Sequence, residues 1–172
     1  MVKRKERQVH VGIWSLVGIF ALVMFALVAQ AEEPIDFTQY ASCRFTPLSD
    51  DKGSMFGTFE CMGITRSNQE NKVFENMSLR EVGFFNNVGA QSTAFSYTNY
   101  TDSDGDLVMM KFSESGPTEQ PEGTWEILYG TGKWKDINGS GKHVHISRGK
   151  PIKPDTVQGS VVRNTGTFEL PK

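Results

Sequence analysis

Beyond residue 31 no stretch of this 172-residue chain shows a sustained helical period, and no second apolar run is long enough to span a bilayer. There are only 2 cysteines and no Cys-x-x-Cys, so thiol–disulfide catalysis has no signal. A Gly-x-Ser-x-Gly elbow and a Gly-Lys-Ser/Thr phosphate loop are also missing. Basic charge is in short supply: 18 Lys and Arg stand against 20 Asp and Glu, a net charge of -2. Such a chain has no basic face with which to neutralise phosphates, and a nucleic-acid partner is not expected. Composition further excludes collagen, a coiled coil and a wholly disordered chain.

The hydrophobicity is concentrated at the start. Lys3, Arg4, Lys5 and Arg7 precede a run from Ile13 to Val28 with no charge, and Ala29-Gln30-Ala31 places small residues at -3 and -1 of Glu32. Basic head, apolar stretch and small-residue end are the parts of a secretory signal peptide, with cleavage expected after Ala31. A retained anchor is the alternative, although the 16 residues of the run fall short of the roughly 20 that span comfortably. No twin-arginine pair precedes the run and no cysteine follows it, which points to general secretion without lipid anchoring. The reading is a leader over 1–31 and one domain over 32–172, with no membrane span after cleavage. The destination is the periplasm or the exterior of a bacterial cell. With 4 basic residues and 1 acidic residue removed in the leader, the remainder carries -5.

Cys43 and Cys61 both fall in the exported portion, where an oxidising compartment favours pairing. Pro47 to Gly53 forms a turn signal between them, so the chain folds back and sets the two on neighbouring antiparallel strands. The alternative is two buried free thiols. β-branched and aromatic residues then recur in short runs between Gly, Asp, Asn, Ser and Pro clusters. Strands are expected near 38–47, 54–66, 73–84, 92–101, 106–114, 122–129, 140–148 and 159–170, with 32–36 as a short lead-in. Trp125, Ile127 and Tyr129 are expected on one face of their strand; Val162, Phe168 and Leu170 share parity in the last. The fold class is all-β: an antiparallel meander closed into a barrel of about eight strands, since closure removes both exposed edges. A two-sheet sandwich is the competitor.

The segment Gly123 to Gly141, with Gly130-Thr131-Gly132, Trp134 and Gly139-Ser140-Gly141, resembles the motif of allene oxide cyclase and dirigent barrels and their small secreted bacterial relatives. The acidic hairpin Asp102 to Asp106 and the closing Gly166 to Pro171 are similar to the same relatives. The likeness spans roughly 102–171; Tyr129 stands where the pattern has its first turn glycine. It implies an eight-stranded, calycin-like barrel that can hold an apolar cavity. No catalytic residue of the cyclases matches one to one, so none is transferred. Independently of any family, Gly130 and Gly132 permit positive φ at a barrel rim, Trp134 caps the interior, and Gly139 and Gly141 allow close backbone approach.

Two sets of side chains have the spacing of metal ligands, each beside a plainer account. Asp102, Asp104 and Asp106 alternate as in a calcium loop, but Leu107 and Ser113 occupy the sixth and twelfth positions, and a hairpin turn explains them better. His143 and His145, at i and i+2, emerge on one strand face and suit two ligands of a zinc or copper site that needs a third donor. Glu126 or Glu169 could supply it; two solvent-facing histidines is the plainer account. Glu60, Glu126 and Glu169 are the strand carboxylates to inspect for burial. Phe56, Phe59, Phe84, Phe85, Phe95, Tyr97, Phe112, Trp125, Trp134 and Phe168 either line a cavity or fill the barrel. No metal site, cofactor or catalytic residue is assigned. The leading expectation is an exported, non-catalytic barrel that binds a small apolar molecule or a surface partner. The alternatives are a cyclase or isomerase working inside the barrel, and a structural envelope protein with a filled interior.

Overall fold

The computed structural model describes residues 32–119, 121–150 and 157–170. The leader read in residues 1–31 and its cleavage point after Ala31 lie outside them. Eight strands run in chain order: β1 (Glu33–Ser49), β2 (Met55–Ser67), β3 (Ser78–Val88), β4 (Gln91–Thr101), β5 (Leu107–Pro117), β6 (Glu122–Gly130), β7 (Asn138–Arg148) and β8 (Gln158–Glu169). Each pairs antiparallel with the next, and β1 also pairs with β8, which closes the barrel. Among the described residues the one helical segment is a 3-10 turn at Gly132–Trp134, and no helix is long and apolar enough to cross a membrane.

The two largest departures from the expected boundaries are at the starts of β1 and β3. Residues 33–36 are strand, because closure gives them a partner: Glu33 to Cys43 of β1 pair with Phe168 to Gln158 of β8, while Phe37 to Ser49 pair with β2. β3 begins at Ser78 instead of 73. Lys72, Phe74 and Asn76 adopt left-handed backbone (φ 56°, 57° and 55°), which no strand contains, and this turns the Phe74 ring into the barrel.

Alternation then decides what faces inward. β1 contributes Ile35, Phe37, Gln39, Ala41, Cys43 and Phe45; β5 contributes Val108, Met110, Phe112 and Glu114. A register shift opposite Met109 and Met110 breaks the parity of β6, so Trp125 and Ile127 are buried while Tyr129 stands on the outside. Of the expected aromatic set, Phe56, Phe84 and Tyr97 also face outward. Phe95, which borders the cavity, keeps its ring against Phe84 and Tyr97. Together with Val82 they leave a continuous apolar strip on the outer wall that the sequence did not reveal.

The interior has two unlike halves. At the end carrying the 68–77, 102–106 and 131–137 connections it is filled. Phe74 stacks on Phe37 with centroids 4.9 Å apart, meets Tyr100 edge-on at 5.6 Å and touches Trp134 at 5.5 Å. Around them pack Ile35, Met77, Leu79, Val108, Met110, Trp125 and Phe168, all in one apolar cluster. Thr65 ties the plug to β2: its hydroxyl donates to the Phe74 carbonyl at 2.5 Å and accepts from the Met77 amide at 3.1 Å. Three left-handed residues cost about 1 kcal/mol or more each. Burying Phe74 and Met77 returns about 1.5–3 kcal/mol apiece, so the plug is a net gain only while both side chains stay seated.

The opposite half is stapled by the disulfide Cys43–Cys61, whose residues are direct cross-strand partners on β1 and β2. Phe74→Ala is expected to cost about 3–5 kcal/mol in urea unfolding, because it empties the hub of the filled half.

Candidate functional site

The second half of the barrel is open. A cavity of about 380 Å³ occupies it, at the end of the barrel where β1, β3, β5 and β7 finish. Its apolar walls are Phe45, Phe59, Phe85, Ala94, Phe112 and Val162, with the disulfide on one side. Its ionisable groups are gathered on β3, β5 and β7: Glu81, Glu114, His143, His145 and Arg148. Pockets of this size and character are typical of small-molecule sites.

Glu114 is the centre of the polar group. Its Oε1 accepts from Nε2 of His143 at 2.8 Å and of His145 at 2.5 Å, and Arg148 Nη2 lies 3.7 Å from Oε2. The strands that carry them are not neighbours, since β6 runs between β5 and β7. The residue on β6 in register with both Glu114 and His143 is Gly123. A Cβ there would sit 2.0 Å from the His143 ring, so the missing side chain is the space through which carboxylate and imidazole meet. Phe112 packs edge-on against His143 at 5.3 Å and holds the ring from below.

The two interior carboxylates are pushed in opposite directions. Burial acts to raise the Glu114 pKa, but hydrogen bonds from His143 and His145 outweigh it and hold the carboxyl well below the usual range. For Glu81 burial wins: its pKa is raised, although Ser96 Oγ donates to Oε1 at 2.6 Å and His143 also favours the ion.

The histidines therefore do not face solvent. His143 is 4% exposed, and their carboxylate partner is Glu114 instead of Glu126 or Glu169. Glu126 pairs with Lys111 and Glu60 with Arg80 on the outer wall, while Glu169 lies 3.4 Å from Asn138 Nδ2. Sequence reasoning passed over Glu114 and Glu81, yet a signal was present. Each stands on the apolar parity of its strand, Glu114 after Val108, Met110 and Phe112, Glu81 between Leu79 and Phe85.

The other sequence-marked residues serve the filled end. Asp102 Oδ1 accepts from the amides of Asp104 and Asp106, and its Oδ2 takes Trp134 Nε1 at 2.8 Å and Lys133 Nζ at 2.9 Å. Asp104 also binds Lys133 Nζ, at 2.7 Å, and Asp106 accepts from the Lys133 amide. The three carboxylates thus fasten the hairpin to the 131–137 turn. Thr131 Oγ1 accepts from the Leu107 amide. Of the two turn glycines only Gly132 has positive φ, 52°; Gly130 is small because the Trp134 carbonyl approaches it. Gly139 and Gly141 lie against the Thr167 and Thr165 carbonyls, and Gly141 also makes room for Trp125.

Gly123→Ala is expected to displace the His143 ring and cost about 1–3 kcal/mol of stability, read by thermal melting together with the imidazole NMR signals. For Asp102, burial opposes ionisation, but the bonds from Lys133, Trp134 and the two amides prevail and hold the pKa to about 2, below its ordinary 3.8. A depressed carboxylate stabilises the fold above its unfolded pKa and ceases to as pH falls through the folded one. The stability gap between the protein and Asp102→Asn, about 1 kcal/mol with an exposed Lys133 as partner, is expected to close between about pH 4 and pH 2 in a melting series.

No family model and no curated protein sequence matches this chain. Among solved structures, the barrel superposes on that of a pterocarpan synthase dirigent protein with a TM-score of 0.50, at 10% identity, covering 85% of this chain and 96% of that one. The fold is a closed eight-stranded barrel of the dirigent type, as the resemblance of the Gly123–Gly141 segment implied.

Proposed function

We propose that this is an exported β-barrel protein that binds a small, mainly apolar molecule carrying one polar or anionic end, without transforming it. The observation that carries this reading is the division of the interior into a packed half and an open half. A barrel whose role was purely structural would gain about 25 cal/mol for each Å² of apolar surface by filling both. Here the sequence lines the open half with the small side chains of Ser92, Ala94, Ser96 and Ser160, and leaves about 380 Å³ between aromatic walls. The polar end of a ligand would meet Arg148 and the Glu114–His143–His145 group. Export is supported by the leader read in residues 1–31 and by the Cys43–Cys61 disulfide, a bond that persists in oxidising compartments.

One observation favours a second reading, an isomerase or cyclase acting in the same cavity. Glu81 presents a carboxyl to the cavity from Ser96, opposite an ionised Glu114, and two carboxyl groups in unlike environments are how one site holds both an acid and a base. In that case Glu81, whose burial favours the protonated form, is the proton donor to the bound molecule.

Native mass spectrometry of detergent-free protein, with uptake of an apolar fluorescent dye, tests the binding reading. A lipid-like added mass or saturable dye uptake is expected, and Ala94→Phe, which fills the cavity, is expected to abolish either. A bare mass with no dye uptake overturns it. Conversion of the recovered ligand that stops in Glu81→Gln, while dye uptake persists, would instead establish the enzyme.

A further inference from the structure

Glu114, His143 and His145 carry a chemistry beyond contact with the polar end of a bound molecule. Each offers one donor atom, and the three donor atoms lie within 4.8 Å of one another. We propose that they form a binding site for a divalent transition-metal ion of the zinc class, with its remaining coordination positions open to the cavity.

The donor set comes first. Two imidazoles and one carboxylate are the ligands that hold Zn²⁺ where a position is kept free for water or substrate, and they suit Co²⁺, Ni²⁺ and Fe²⁺ as well. With two nitrogens among three donors, the set is unsuited to Ca²⁺ or Mg²⁺, which take oxygen. Convergence is the second point. Both Nε2 atoms approach a single oxygen, at 2.8 and 2.5 Å. Ligand atoms at about 2.0–2.2 Å from a tetrahedral ion stand about 3.3–3.6 Å apart, so Oε1 has to draw back from each Nε2 by about an ångström or less, while the two nitrogens already lie within 4.8 Å of each other.

The third point is that the fold builds this meeting deliberately. His143 is nine-tenths buried, and it reaches Glu114 only because β6 offers Gly123 in the row between them. Neither ring is engaged at its other nitrogen by the described residues: both Nδ1 atoms are buried without a partner, so the Nε2 edge is where each ring's bonding is spent. Arg148 approaches Oε2 of Glu114, which leaves Oε1 to the ion and sets a guanidinium beside the open positions. An anionic end of a ligand would there face metal and arginine together. The acidic hairpin offers nothing comparable, as its carboxylates are occupied by Lys133, Trp134 and backbone amides.

The ion needs only the three side chains, so the inference stands apart from the ligand reading. Zn²⁺ alone, titrated calorimetrically into purified, metal-stripped protein, is expected to bind one ion per chain. His143→Ala with His145→Ala is expected to weaken binding by more than about tenfold, Glu114→Gln to weaken it less, and Asp104→Asn in the hairpin to leave it unchanged. Because these side chains are buried, a measurement that needs no variant accompanies the titration: on Zn²⁺ addition each Nε2 gives up its proton, to Nδ1 or to solvent, and the Nε2 resonances of His143 and His145 in the parent protein are expected to move. No Zn²⁺ uptake by the parent, uptake without change at either Nε2, or equal affinity in a folded double variant overturns the site. Dye uptake measured in chelator separates the two proposals: dye without zinc leaves the pocket and removes the metal, and zinc without dye does the reverse.

Discussion

The pairing of β1 with β8 is the constraint on which the rest of this molecule depends. It converts a meander with two open edges into a barrel with an inside. β1 is the longest strand because it serves two neighbours at once, offset along its length: its first part lies on β8 and its later part on β2. The seam is fastened on both faces. Inside, Asn164 Nδ2 donates to Gln39 Oε1 at 2.6 Å, both side chains buried. Outside, Arg163 grips the Asp36 carboxylate with two hydrogen bonds, at 3.0 and 2.6 Å, which holds that carboxyl below its usual pKa. A buried amide pair at the seam also acts as a register key, since a slip of one residue would point Gln39 and Asn164 at solvent and bring charge inward.

Closure then makes size a matter of position along the axis. Toward the 68–77 plug the inward residues are large, and the barrel is packed to the point that glycines at 141 and 166 are required to seat Trp125. Toward the other rim Ser92, Ala94, Ser96 and Ser160 stand among the phenylalanines, and charged groups enter. The division concentrates stability in one half and leaves the other free to carry groups that a packed core would reject, among them two carboxyls, two imidazoles and a guanidinium. The disulfide lies in the wall of the open half, where packing is least able to hold β1 and β2 together.

Much of this was legible in local pattern. Eight strands, the antiparallel order and the Cys43–Cys61 pairing follow from alternation, turn chemistry and spacing. The departures have equally local causes. The sequence from 73 to 77 has strand composition, yet the left-handed residues around Phe74 serve a contact with Phe37 and Tyr100, far away in the chain. Strict parity puts Tyr129 on the same face as Trp125 and Ile127, because parity is counted without bulges, and the shift beside Met109 and Met110 exists only in the pairing of two strands. Histidines without a partner in the local sequence read as solvent-facing, although the partner of these two stands on the apolar parity of β5.

By itself, then, the sequence determined which residues could share a face, because side-chain direction along a strand alternates with period two and depends on nothing beyond the strand. It also determined where the chain must turn and that its two thiols would lie side by side. Only the tertiary structure decided which faces look at one another. Glu114 stands 29 and 31 positions from its two histidines, on a strand that does not pair with theirs. Their meeting depends on closure, on the register of three strands, and on a glycine at 123 whose importance is the volume it does not occupy. Inter-strand register is set by the summed packing of the whole barrel, so no short segment of the chain contains it.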